Sequence, residues 1–161
     1  MTTIFCSKKL EKFFGKTEPY LVPDYANKFG NWNGNIFFVQ GKKYIIFSNN
    51  ITSYSFVWGG IKKADVKNFD TLFKDSLIKQ LYHDIKINER QEVEIRTSLA
   101  DIRLTKTNNN KRVIGLMNEA VHVAKLFLFN NGGAGSISDL KLGYGLNNQF
   151  IKTKGVGSNF K

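Results

Sequence analysis

The chain has 161 residues, enough to bury one hydrophobic core without disulfides or a metal to staple it. Its 24 Lys plus Arg against 13 Asp plus Glu leave a formal net charge of +11, which favours phosphate-rich partners. Cys6 is the single cysteine, which excludes an internal disulfide and, by itself, a structural zinc site, so a reducing cytoplasm is the expected compartment.

Thr3 to Cys6 is β-prone, and Ser7 suits the N-cap of a short helix over Lys8 to Phe14 that Gly15 stops. Lysines follow this apolar stretch instead of preceding it, and it is too short for the core of a secretion signal. Residues 16 to 34 hold Pro19, Pro23, Gly30 and Gly34, which break any regular period, and read as an ordered loop. Ile36 to Val39, Tyr44 to Phe47 and Tyr54 to Val57 are β-rich runs divided by Gly41-Lys42 and Asn49-Asn50, which suit two-residue hairpin turns. An antiparallel meander follows. Two of its strands are apolar at successive positions, so both faces of the sheet should be covered.

Val66, Phe69, Phe73, Leu77 and Leu81 then repeat at three and four, predicting an amphipathic helix from Asp65 to His83 with Phe69 and Phe73 in the core. Glu92 to Arg96 and Asp101 to Thr105 alternate as half-buried strands. Asn118 reads as an N-cap, with Glu119 well placed against the helix dipole, so a last helix is expected over 119 to 129. Apolar runs such as Leu126 to Phe129 are far shorter than the roughly 20 residues of a membrane span, and no membrane partner is expected. Residues 131 to 161 contain 7 of the 14 glycines and a single acid, Asp139. They read as a Gly-rich basic C-terminal tail that buries little and can be mobile, following a single domain over residues 1–130.

Three local patterns carry a resemblance. They are Cys6-Ser7-Lys8-Lys9-Leu10, then Gly30-Asn31-Trp32-Asn33-Gly34-Asn35, and finally Thr105-Lys106-Thr107-Asn108-Asn109 with Arg112-Val113-Ile114-Gly115-Leu116-Met117-Asn118. With Gly60-Ile61-Lys62-Lys63 as a helix start, the chain resembles a bacterial domain-of-unknown-function family (number six-nine-three-three) over roughly residues 3–125. Two departures stand out: Leu116 replaces the serine of the family pattern, and an extra asparagine and lysine precede Arg112. If that serine does chemistry in relatives, this chain should lack it. The resemblance implies a fold and a set of residues to watch, not a reaction.

Two readings are open at each of these sites. Trp32, Asn33 and Asn35 could stack a base and read its edge, or Trp32 could plug the rim of the core while the asparagines make turns. Lys106, Thr107, Asn108, Arg112 and Asn118 could form an anion pocket at a helix N-terminus, or be ordinary turn and cap chemistry. Tyr54, Phe56 and Trp58 share a strand face, as in a single-strand binding platform, but an aromatic stripe on a central strand is more often core. Glu92, Glu94, Asp101 and Lys106 could gather as an acid cluster of the kind nucleases use, yet the wet face of two strands explains them. His83 and His122 fall on different helices with no partner at metal-ligand spacing, so neither a metal nor another cofactor is expected. Gly132 to Ser136 lacks the Lys-[Ser/Thr] ending of a phosphate loop, and a flexible linker is enough.

The fold expected is α+β: an antiparallel β-meander extended by one or two further strands and packed against two main helices. The leading functional expectation is a basic cytoplasmic binding module, bacterial or from a mobile element, that engages nucleic acid or another polyanion. The cation count is a modest guide, because 20 of the 24 are lysine whereas bidentate phosphate recognition prefers arginine. The alternatives are an enzyme acting on RNA or a nucleotide, and a protein-interaction subunit of a defence or toxin-antitoxin system that meets an acidic partner.

Overall fold

The computed structural model describes residues 1–19, 27–107 and 110–153, with 150–153 as backbone. In chain order the elements are β1 (Thr2–Cys6), α1 (Lys8–Phe14), β2 (Trp32–Val39), β3 (Lys42–Asn49), β4 (Ser55–Gly59), a 3-10 turn (Lys63–Asn68), α2 (Phe69–Ile85), α3 (Glu89–Leu99), β5 (Ile102–Lys106), α4 (Lys111–Asn130) and α5 (Asp139–Thr153). The strands form one five-stranded sheet in the order β4-β3-β2-β1-β5. β2, β3 and β4 are the expected meander, whereas β1 joins it in parallel with both β2 and β5. The fold is therefore α+β with a mixed sheet, extended by two strands that are not antiparallel.

Sequence dictates the start of the chain directly. Ser7 Oγ accepts from the Leu10 amide at 3.2 Å, and Gly15 closes α1 at φ 73°, a left-handed cap that glycine adopts without penalty. The first hairpin turns at Gln40-Gly41, both with positive φ, one residue earlier than expected. The second connection is longer than a two-residue turn: it spans residues 50–54, built on Asn49, whose side-chain oxygen accepts from the amides of Ile51 and Thr52.

Each strand face buries a different cluster. On the first face Ile4, Cys6, Trp32, Ile36, Ile45, Phe47, Phe56 and Trp58 pack against α1 and α2, with Phe73 in edge-on contact with Trp32 at 5.5 Å and Phe47 at 5.1 Å. On the second face Phe37, Val39, Tyr44, Ile46 and Val57 pack against Met117, Ala120, Ala124 and Leu128 of α4 and Leu142 and Leu146 of α5. The aromatics Phe56 and Trp58 are thus core, and Tyr54 lies partly buried beside them.

Two expectations are corrected in the C-terminal half. Glu92 to Arg96 is not a strand but the middle of α3, because Asn88 and Gln91 form a reciprocal capping box at 2.9 Å each that starts a helix just before it. Five alternating residues cannot outvote a cap. Asn118 is not an N-cap either: α4 begins two turns earlier at Lys111, with the Asn110 side chain accepting from the Arg112 and Val113 amides at 3.0 and 3.4 Å. The resulting 20-residue helix is long and apolar enough to cross a membrane by length and composition, unlike the short runs read from the sequence, but its buried residues face the sheet.

The segment after residue 130 is built into the body. Gly133 sits at φ 101° where a Cβ would come within 2.3 Å of Gln40 Oε1, so the chain can hug the hairpin there only as glycine. Gln40 Oε1 accepts from the Ala134 amide at 2.9 Å and Tyr44 Oη from the Gly135 amide at 2.9 Å, so the expected flexible linker is a docked turn. α5 then covers the edge of β4. Asp139 Oδ2 accepts from the Gly59 amide at 2.9 Å, and the Asn147 amide group pairs with both backbone groups of Ser55, at 2.7 and 2.9 Å. Leu142 and Leu146 are 1% and 0% exposed, which replaces the expectation of a tail that buries little. Lys154 and Lys161 of that tail, and Pro23 of the early loop, lie outside the described residues. Truncation after Asn130 is expected to abolish cooperative unfolding, and Leu146→Ala to cost about 2–5 kcal/mol, a fall of roughly 5–15 °C in Tm by calorimetry. A truncated chain that melts like the intact one would overturn this placement of α5.

A buried polar hub ties α2, β4 and α5 together. The Asp84 carboxylate is 6% exposed and receives Tyr54 Oη at 2.7 Å, Gln80 Nε2 at 2.9 Å and Asn147 Nδ2 at 3.2 Å. Burial, then the bond to Asp84, pushes the Tyr54 hydroxyl well above the ordinary tyrosine range, and burial, then Glu11, does the same for the Cys6 thiol. Both groups stay protonated in the folded chain and ionise at ordinary values in the unfolded one. Above about pH 8.5 for the thiol and about pH 10 for the phenol the folded state holds more protons, so stability falls as pH rises. Denaturant midpoints are expected to be level to about pH 8 and then to drop, by at most about 1.4 kcal/mol per pH unit for each group. A midpoint unchanged through about pH 11 would show that both groups are hydrated in the fold.

Candidate ligand-binding cleft

The second face of the sheet changes character along its strands. Toward the β2–β3 hairpin it is apolar, but one cross-strand row reads Thr105, Phe5, Asn33, Ser48 and Ser55 from β5 to β4. The N-terminal half of α4 passes over this row and presents Val113, Met117 and Ala120 to it. An apolar helix face cannot seal against amides and hydroxyls without burying them unpaired, so a cleft remains between helix and sheet.

The cleft has two lobes that share Asn33, Val113 and Met117. The inner lobe, of about 160 Å³, is lined by Asn33, Ser48, Asn50, Ser53 and Ser55 under Leu116 and Ala120 of α4. The outer lobe, of about 310 Å³, is lined by Phe5, Ser7, Lys8, Asn35, Thr107, Ile114 and Asn118. Concave sites with an apolar wall and a few convergent polar groups are where small ligands usually bind.

Internal hydrogen bonds set the polarity of each lobe. In the outer lobe Asn35 Oδ1 accepts from Ser7 Oγ at 2.7 Å and from the Ile36 amide at 2.9 Å. In the inner lobe Ser55 Oγ donates to the Ser53 carbonyl at 3.1 Å and is 2.6 Å from Ser48 Oγ. Asn33 Nδ2 donates to Asn50 Oδ1 across the rim.

Of the residues singled out from the sequence, Asn33, Asn35, Thr107 and Asn118 line the cleft together. Trp32 does not: strand alternation turns it to the opposite face, where it is 3% exposed among Phe56 and Phe73. It is core, and no base can stack on it. Arg112 is exposed beside the cleft and outside its lining, Lys106 pairs with Cys6 and so stands toward the first face of the sheet, away from the cleft, and Asn108 lies outside the described residues. Asn118 contributes from mid-helix, while the Arg112 and Val113 amides that an anion would need are already taken by Asn110. The acid cluster does not assemble: Glu92 bonds Tyr82 and Arg96 on α3, and Glu94 pairs with Lys28. Those bonds, with Tyr82 first for Glu92 and Lys28 for Glu94, hold both carboxyls below the usual range. Among the described residues no three His, Cys, Asp or Glu side chains gather as metal ligands.

Sequence reasoning missed Phe5, Ser48, Ser53, Ser55, Val113 and Met117. A signal existed for the serines. Ser48 continues the inward alternation Tyr44, Ile46 on β3, and Ser55 precedes Val57 on β4, so each places a hydroxyl where the pattern calls for an apolar side chain.

The lining brings together all three segments that carry the family resemblance: Ser7 and Lys8 from the first, Asn33 and Asn35 from the second, and Thr107, Val113, Met117 and Asn118 from the third. Leu116, at the position of the family pattern's serine, lines the inner lobe. No curated protein and no solved structure matches the chain. The family model described as Domain of unknown function (DUF6933) matches residues 3–160, past the span of the resemblance and through α5. The chain belongs to the DUF6933 family.

Proposed function

We propose that the protein is a binding module for nucleic acid or another polyanion, which it holds at the cleft under α4. The observation that carries this reading is the convergence on one concave surface of three segments far apart in sequence, edged by cations. Lys8 lines the cleft, and Lys111 and Arg112 stand on the helix that covers it. None of the three is in an ion pair with a described residue. The first turn of α4 holds Lys111 and Arg112 and no acid, although the helix dipole favours acids there and disfavours cations. Cations held against the dipole suit an approaching anion. On α2 and α3, by contrast, Asp70 pairs with Lys74, Asp75 and Glu92 with Arg96, and Glu94 with Lys28.

Binding is better supported than acid-base chemistry, because the described lining consists of amides, hydroxyls and apolar groups with Lys8 as its titratable member. Affinity for mixed-sequence single-stranded RNA is expected to fall roughly 10- to 100-fold between about 50 and about 200 mM salt, measured by fluorescence anisotropy. Arg112→Ala should weaken binding while leaving the unfolding midpoint within about 0.5 kcal/mol, since an exposed arginine contributes little to folding. Undetectable binding at low salt would remove this reading, and tight binding indifferent to salt would replace it with a specific protein or small-molecule partner.

A further inference from the structure

The two lobes of the cleft are not chemically equivalent, because hydrogen bonds to backbone groups fix which side of Asn35 and of the Ser48–Ser55 pair remains open. Asn35 Oδ1 accepts from the Ile36 amide, which can only donate, and from Ser7 Oγ. The Asn35 amide is thereby held with its Nδ2 unpartnered by any described residue, and it offers two N–H donors to the outer lobe. Ser7 cannot compete for a phosphate oxygen, since its one hydroxyl hydrogen is committed to Asn35 Oδ1. Lys8 Nζ adds a further donor with a positive charge.

The inner lobe is wired in the opposite sense. Ser55 Oγ donates to the Ser53 carbonyl, which can only accept, so the hydrogen between the two serine oxygens comes from Ser48. With its hydrogen committed, Ser48 Oγ presents lone pairs. Asn33 commits an Nδ2 hydrogen to Asn50 and leaves its own Oδ1 as a second acceptor. Acceptors at Ser48 and Asn33 thus stand at one end of the cleft, with the Asn50 Nδ2 donors at its exposed rim, and donors with a cation stand at the other end, while Val113 and Met117 form the apolar wall shared by both.

We infer that the cleft seats a single nucleotide unit whose base carries an exocyclic amine, with the base in the inner lobe and the phosphate in the outer lobe. The amine donates to Ser48 Oγ and Asn33 Oδ1, the flat ring lies against Val113 and Met117, and the phosphate oxygens accept from Asn35 Nδ2 and Lys8 Nζ. A base with a carbonyl in place of the amine would face lone pairs with lone pairs, which excludes it from this pose. This inference rests on the reading of the cleft as the nucleic-acid site. The nucleotide could be free or part of a strand, and the chemistry at the cleft is the same for both.

Cytosine and uracil differ at this position and hardly at all in shape, so oligo(C) and oligo(U) of equal length give the cleanest comparison. Oligo(C) is expected to bind about 5-fold tighter or more, by anisotropy at one fixed low salt concentration. Ser48→Ala should remove that preference, and Asn35→Asp should weaken oligo(C) about 10-fold or more. The aspartate still accepts from Ser7 and Ile36 but turns a donor into a charge that repels phosphate. Amide chemical shifts confirm that each variant is folded and that cytidine monophosphate perturbs residues of both lobes. If the monophosphate binds as tightly as oligo(C), the ligand is a free nucleotide; if oligo(C) binds at least about 10-fold tighter, it is a strand. Salt-sensitive RNA binding with equal affinity for oligo(C) and oligo(U), unmoved by Ser48→Ala, overturns this inference and leaves the polyanion reading intact. No binding of any RNA or nucleotide removes both.

Discussion

Burial of the central sheet on both faces is the constraint from which the rest of the architecture follows. β3 carries Tyr44, Ile45, Ile46 and Phe47 in succession, all at most 1% exposed, so each side of the strand needs its own cover. α1 and α2 supply it on the first face and α4 and α5 on the second. Large aromatic side chains dominate the first face, where Phe47, Phe56, Trp58, Phe69 and Phe73 meet edge to face or tilted within 6.5 Å. The second face sets Phe37 and Tyr44 among aliphatic residues, and α4 meets it through Met117, Ala120, Ala124 and Leu128, whose alanines let the helix approach closely. A helix that close to a sheet seals it wherever both are apolar and leaves a gap wherever one is polar.

A twisted sheet covered above and below still has two edges, and an open edge invites pairing with another chain. Here both are occupied by the chain itself. The Asn147 side chain answers Ser55 with one donor and one acceptor, as a neighbouring strand would, and Asp139 takes the amide at the far end of β4. On the opposite edge Glu18 bonds β5 through its backbone, accepting from Lys106 and donating to Leu104. Asp84 links the first of these edges to α2, so one carboxylate orders the packing of three elements. Breaking it would leave a buried charge without partners, which costs more than the bonds themselves contribute.

The cleft is the exception that this packing leaves. It lies at the C-terminal end of β1, beside the point where the sheet changes from antiparallel to parallel pairing, and draws its lining from β1, the start of α1, β2, β3, the β3–β4 connection, β4, the turn after β5 and α4. Because the strands are rigid and paired, Asn33, Asn35 and Ser48 are held in register relative to one another, which is what a binding site needs of its supporting elements. Lys8 at the cleft and Lys111 and Arg112 on the helix above it are in no ion pair with a described residue.

Local chemistry was legible in the sequence wherever a few neighbouring residues decide the outcome. Ser7 and Gly15 bound α1, the apolar runs of β2 and β3 announce a sheet covered on both sides, and the period of Phe69, Phe73 and Leu77 assigns α2 to the core. The segments that make the cleft were also visible as patterns, but not their meeting place. Trp32 and Asn33 are adjacent in sequence and face opposite sides of the sheet, a difference that arises only once β2 extends back to residue 32 by pairing with β1. Glu92 to Arg96 satisfies strand periodicity and helix capping equally well, and the cap prevails because Ile95 and Leu99 then reach the first-face core. α5 was hidden for a similar reason: its glycines lower helix propensity, and its stability comes from Leu142, Leu146 and Asn147 meeting partners some 90 residues away. The sequence determines where the chain prefers to bend, cap and alternate, because those preferences are local free energies. Which face is covered, which edge is capped and which polar row stays open are decided by tertiary contacts, whose energy no neighbouring residue contains.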